Sequence, residues 1–158
     1  MFDQIGGLPV HVLVLHAAVV LIPLLALGAI VYAIIPRWRG RIGWSVVILG
    51  VVAPVCAFVT RESGLKFYDR VTKRGISPKG REMLDAHMHF GTLTMWFSIA
   101  LGVAALVLTI ATLRRPTKTL PRVPDVVLAV ITVALAAISG YYVFRTGDSG
   151  AHVVWGTY

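Results

Sequence analysis

Residues 9–36 read PVHVLVLHAAVVLIPLLALGAIVYAIIP, and apart from His11 and His16 every side chain in the run is apolar or small. As a helix rising ~1.5 Å per residue, it measures about 40 Å, more than enough to cross a ~30 Å hydrocarbon core. A span with imidazoles only near its start sets the reading of the rest. Three further apolar runs follow, so the spans are 9–35, 43–60, 88–113 and 123–144. The second is only just long enough to cross and contains Pro54, where a kink is expected. The fold class is therefore all-α: an integral membrane four-helix bundle forming a single domain over 1–158.

Composition agrees. Of the 158 residues 57% are hydrophobic and only 14% charged, against about 25% charged in soluble domains. The net charge of +8 is carried by short basic clusters bracketing the apolar runs, with no basic helix or aromatic–basic motif, so nucleic acid is not a partner and the lipid bilayer is. The single cysteine, Cys56, excludes an intramolecular disulfide and reads as a small buried hydrophobe. The opening MFDQIGG carries no basic residue, so it is not the positive start of a secretory signal, and the first span is expected to stay attached.

Orientation follows from the loops. RWRGR (37–41) and RRPTKTLPRVPD (114–125) hold dense basic clusters beside the spans and lie on one side. The stretch 61–87 has seven basic residues spread among four acids. The denser clusters place the first and third loops in the cytoplasm and both termini outside. Within 61–87, Leu65, Tyr68 and Val71 fall three apart, as in a short interfacial helix, and Ala151, Val154, Trp155 and Tyr158 repeat the pattern at the C-terminus. Small residues spaced four apart, Ala53 with Ala57 and Ala136 with Gly140, mark faces that touch. Trp96, mid-span, reads as a packing residue.

The second and fourth spans end alike. Thr60-Arg61-Glu62-Ser63-Gly64-Leu65 aligns with Thr146-Gly147-Asp148-Ser149-Gly150-Ala151, and each follows a helix pair opened by histidines, His11 and His16 or His87 and His89. That is the pattern of two parallel repeats. A chance likeness of two glycine-bearing helix ends is the competing explanation.

Counting inward from the cytoplasmic loops puts His11, His87 and His89 at nearly one depth near the outer face, with His16 about 7–8 Å deeper. Thr60, Glu62, Thr146, Asp148 and His152 reach the same mouth from the other two helices. His87 and His89 stand ~200° apart on a helical wheel and His11 and His16 ~140°, so only one of the third-span pair faces the interior. Such a cluster suits haem b, held by two imidazoles from facing helices. It also suits a transition metal on His11, His16 and His87 with Asp148, and with His89, Glu62 and His152 as weaker candidates, or a proton relay. No CxxCH or HExxH motif selects among these. The ordinary alternatives are histidines anchoring in the interface, which suits His152 and one of His87 or His89 best, and acids bonding to helix-end backbone.

GLPVHVLVLHAAVVLIP, DAHMHFG and TGDSGAHVVWG together resemble the bacterial membrane-domain family catalogued as domain of unknown function 2231, over nearly the whole chain. The resemblance implies a four-helix membrane domain, sometimes joined to Rieske-type iron–sulfur domains, and so a link with electron transfer. On it, His11 and His16 match the family's paired histidines, His87 with Gly91 its later histidine–glycine pair, and Gly147, Ser149, Gly150 and Trp155 its terminal motif. Members often carry proline after the first histidine and Phe-Pro after the second; Val12 and Ala17-Ala18 stand there instead, so that local bend is not carried over.

The function expected is a small inner-membrane protein whose histidine cluster binds haem b or a metal ion for electron transfer, or as an accessory subunit of a respiratory complex. A cofactor-free scaffold or assembly subunit is the alternative. A small-solute or proton pathway lacks the mid-membrane charges such pathways need. No catalytic residue set is read.

Overall fold

The computed structural model describes residues 4–5, 8–113 and 123–156. Two-residue strands β1 (Gln4–Ile5) and β2 (Leu8–Pro9) pair antiparallel ahead of the helices, a feature the sequence reading did not anticipate. The four helices are α1 (Val10–Ile34), α2 (Arg39–Lys73), α3 (Pro78–Leu113) and α4 (Val123–Trp155), with one turn of 3-10 helix at Pro36–Trp38 between the first two. All four are long and apolar enough to cross a membrane. They pack in the ring α1–α2–α3–α4–α1, and α1 and α3 also touch across the diagonal.

The helices outrun the apolar spans. α2, α3 and α4 contain 35, 36 and 33 residues, about 50 Å each, so roughly 20 Å of each lies beyond a ~30 Å hydrocarbon core. The stretch after Thr60, expected as a separate interfacial helix, is helical but continuous with α2, and the C-terminal one is continuous with α4. Charged side chains end a hydrophobic span; they do not end a helix. What ends α2 is Gly75, whose φ of +87° suits glycine alone, followed by Ser77, whose Oγ accepts the Gly80 N–H at 3.1 Å, and Pro78 in the first turn of α3. The third loop falls at 114–122, outside the described residues.

Burial registers show two equivalent halves. The buried side of α1, Ala18, Ile22, Leu25, Ala26, Ala29, Tyr32 and Ala33, recurs 76 positions on in α3 as Thr94, Ser98, Leu101, Gly102, Ala105, Leu108 and Thr109, all buried. In the same way Val46, Gly50, Ala53 and Ala57 of α2 recur 86 positions on as Thr132, Ala136, Ser139 and Val143 of α4. The buried hydroxyls of the second half are all bonded, Thr109, Thr132 and Ser98 donating to carbonyls of their own helix, Ser139 donating to the Phe97 carbonyl of α3 and Thr94 sharing a hydrogen bond with the Thr146 hydroxyl of α4, so they cost little where the first half has alkyl groups.

The halves meet tightly at α2–α3. Pro54 has no N–H to offer the carbonyl of Gly50, four residues earlier. α2 runs through that position without interruption, and Gly102 of α3 packs against it. A Cβ on Gly102 would lie 2.5 Å from the Gly50 oxygen and 2.7 Å from Pro54 Cγ, so the glycine's own Cα–H stands where it can approach that carbonyl. Ala53, Ala57 and Ala136 are buried as their spacing predicted, whereas Gly140 is only partly so. Cys56 is a free, partly buried thiol against the core. Trp96 is 60% exposed on the outer surface, so it is not a bundle packing residue.

At the other end, Arg39 donates from Nε to the Tyr32 carbonyl at 3.0 Å and from its terminal nitrogen to that of Ala33 at 3.3 Å, closing the end of α1 with a cation. Tyr32, 2% exposed, shares a 2.8 Å hydroxyl–hydroxyl hydrogen bond with Thr112 on the diagonal helix. Tyr32→Phe is expected to lower unfolding stability in detergent by about 1 kcal/mol. An unchanged midpoint would mean this bond adds nothing to the diagonal contact.

Candidate functional site: a paired imidazole centre

His11 precedes Leu25 by the same fourteen residues that separate His87 from Leu101. Fourteen residues are nearly four turns, so each histidine stands about 40° from a fully buried leucine, on the core side of its helix. One lies on α1 and the other on α3, the pair that touches across the diagonal of the ring.

Each ring is held by the neighbouring helix of its own half. His11 Nδ1 lies 3.1 Å from the Thr60 carbonyl oxygen and 3.3 Å from Ser63 Oγ. His87 Nδ1 lies 3.1 Å from both the Thr146 carbonyl oxygen and Ser149 Oγ. A carbonyl only accepts, so Nδ1 carries the proton, and in the neutral ring Nε2 keeps its lone pair. The serines reinforce this, since Ser63 and Ser149 donate their hydroxyls to the same two carbonyls at 2.9 and 3.0 Å and so present an acceptor face to Nδ1–H. Thr60 and Thr146 bond back to Cys56 and Tyr142. The duplicated Thr-x-x-Ser-Gly motif is thus a duplicated imidazole clamp.

The glycines of the motif make room for the rings. A Cβ on Gly64 would lie 3.1 Å from His11 Cε1, and one on Gly150 3.0 Å from His87 Cε1. Gly64→Ala and Gly150→Ala are each expected to push the imidazole off its carbonyl, read as loss of one hydrogen-bonded Nδ1–H signal in the NMR spectrum of ¹⁵N-histidine-labelled protein. Two unshifted signals would show that the rings do not depend on these notches. Phe67 stacks on His11 at 6.1 Å between ring centroids, and Leu84 and Met95 of α3 are buried on either side of His87 along the helix.

The other candidates are not gathered here. His16 is exposed, its Nδ1 bonded to the Val12 carbonyl at 2.6 Å, because ~140° of helix rotation carries it off the core side. His89 is exposed on the far side of α3 from His87. His152 is exposed and turned back on its own helix, 2.9 Å from the Asp148 carbonyl and 3.6 Å from its carboxylate. Glu62 pairs with Arg61 at 2.5 Å. Asp148 and Glu62 lie inside continuous helices and cap neither. Among the described residues no three or more His, Cys, Asp or Glu side chains gather in a group able to hold a metal ion. Nor is the pair at an open mouth: α2 continues from Thr60 to Lys73, some 20 Å, and α3 begins about 13 Å before His87.

The family model for predicted membrane proteins of DUF2231 matches residues 7–157. The chain belongs to the DUF2231 family. No curated protein and no solved structure matches it. In this DUF2231 protein hydropathy does not show the helix lengths, and residue counts place Thr60 and Thr146 at the level of the histidines without showing that their carbonyls hold the rings or that Gly64 and Gly150 make room for them. The 76-residue offset between His11 and His87 and the 86-residue offset between the Thr-x-x-Ser-Gly motifs are the signals that lead to the clamp.

Proposed function

We propose that this protein is a haem b carrier of the bacterial plasma membrane, in which His11 and His87 would hold the haem and electron transfer would be its task. The observation that carries the reading is the matched tautomer lock: two imidazoles on diagonal helices, each committed through Nδ1–H to a backbone carbonyl and each leaving Nε2 as a base. A carbonyl bond on the far nitrogen orients a ligating histidine and raises its basicity. Two ligands are what a six-coordinate haem takes from protein, whereas a zinc-like ion takes three or four, so the ligand count favours haem over a bare ion.

Haem, when bound, supplies one-electron chemistry. The chain's own share is to hold two bases at one level, to fix their rings with the clamps, to stack Phe67 on one of them, and to wall them off with the helix extensions. With the first and third loops cytoplasmic, the centre lies toward the outer side and both termini are outside. The redox partner would be a subunit of a respiratory complex or a carrier meeting the projecting helix ends.

One observation favours a second reading. The imidazoles fill glycine notches and bridge α1 to α2 and α3 to α4, so they would also serve as staples in a cofactor-free scaffold. Absorption spectroscopy and metal analysis of detergent-purified protein separate the readings. A Soret band supports haem, stoichiometric metal without one supports an ion, and neither leaves the scaffold.

A further inference from the structure

We infer that the turn joining α2 to α3 and the adjoining end of α4 form one docking surface for a water-soluble protein that presents an acidic patch around an apolar centre. From residue 70 to residue 81 the chain carries five cations, Arg70, Lys73, Arg74, Lys79 and Arg81, and no acid. Lys73, Arg74, Lys79 and Arg81 are exposed. They sit on a defined turn, set by the positive φ of Gly75 and by the Ser77 cap of α3. Below it the Tyr68 hydroxyl donates to Asp85 at 2.6 Å and ties the two arms together.

Height sets this surface apart from the lipid. Lys73 lies thirteen residues past Thr60, where the apolar run of α2 stops, and Trp155 eleven past Phe144, where that of α4 stops. Along the helix axes those are about 20 and 16 Å. A headgroup layer is only about 5–8 Å deep, and even a tilt of about 40° leaves both residues roughly 12–15 Å up, clear of it. The cations of the turn therefore stand in water.

An apolar centre adjoins them. Val154 and Trp155 are 61% and 67% exposed. A Cβ on the next residue, Gly156, would lie 2.9 Å from Met83 Cε, so the end of α4 packs beside the first turns of α3. A tryptophan raised above the headgroups has no membrane to anchor in. With cations at its edge it has the make-up of a protein interface, an aromatic centre with a charged rim. Duplex nucleic acid would use the cations and leave the tryptophan idle. The inference rests on the reading above only in making that protein the redox partner; the surface itself does not involve the histidines.

The test titrates the full chain in phosphatidylcholine nanodiscs with three fluorescent probes: a peptide of Asp and Glu around a Leu-Phe pair, the same peptide with Gln for every acid, and duplex DNA of equal charge. The acidic peptide is expected to bind, less tightly as salt rises, and the Gln peptide is not. Lys73→Gln, Arg74→Gln and Lys79→Gln together should weaken it about tenfold, and Trp155→Ala should weaken it as well, with thermal unfolding unchanged because all four side chains are exposed. His11→Ala should bind the peptide like wild type, so loss of haem and loss of docking are separate results. An acidic peptide that binds the triple variant as well as wild type, or binds neither, would overturn the inference. So would phosphatidylglycerol nanodiscs that reduce wild type to the level of the triple variant, which would put the turn among headgroups. DNA binding as tight as the peptide's and indifferent to Trp155→Ala would make the surface a polyanion site and overturn the choice of a protein.

Discussion

Replacing either His11 or His87 with alanine is expected to remove low-spin haem from the purified protein, while His16→Ala, His89→Ala and His152→Ala keep it. The two proposed ligands come from different halves, and each is held by a single clamp, so on this reading neither half can compensate for the other. The affected variants should still fold. A neutral hydrogen bond contributes only about 1 kcal/mol net, and the core registers along α1 and α3 are untouched. Elution as a monodisperse species, with the Soret band gone or converted to a high-spin form, is the result to look for. His16→Ala is the sharpest control: that imidazole lies in the same apolar stretch of α1 as His11 but bonds to its own helix and points away from the core. Loss of haem from His16→Ala with retention in His87→Ala would reverse the assignment.

The largest effect on stability is expected at Gly102. Its neighbours across the α2–α3 contact are a backbone oxygen and a proline ring, at 2.5 and 2.7 Å from where a Cβ would be. Neither can swing aside as a flexible side chain would. Overpacking of ordinary cores costs about 1–3 kcal/mol, and against backbone the helices must separate. Gly102→Ala should lower the unfolding midpoint in detergent markedly, and Gly102→Leu should leave little folded protein. Gly140 occupies the place of Pro54 in the other half, and a Cβ added there would meet nothing within 4 Å, so Gly140→Ala should change stability little. Equal tolerance at 102 and 140 would contradict the tight contact.

The sequence announced the bundle through its apolar runs, and it announced the level of the histidines because residue counts from the loops translate into depth along a helix. Rotation about the helix was legible only in part: the ~200° between His87 and His89 says that one of them faces outward, but His16, ~140° from His11, stood among the expected ligands and is exposed. What did not show was where the helices stop. Glu62, Lys66 and Asp69 look like a loop when hydropathy is the guide, yet no breaker stands between Thr60 and Lys73, and the real stop is the Gly75–Ser77–Pro78 turn. The clamps were hidden for another reason. Their acceptors are backbone carbonyls, which every residue carries, so only the small residues that admit the ring, Gly64 and Gly150, leave a trace, and helix-end glycines are common enough to pass as caps. The contact at Gly102 was likewise invisible, because its cause is the missing N–H of Pro54 on another helix.

The most direct measurement is haem stoichiometry together with low-temperature electron paramagnetic resonance of the oxidised protein purified from cells supplied with haem. A centre built from one histidine of each half predicts a single low-spin ferric signal of bis-imidazole type at one haem per chain. Protein that folds, retains both clamps and yet contains no haem, or holds it in a purely high-spin form, would contradict the account.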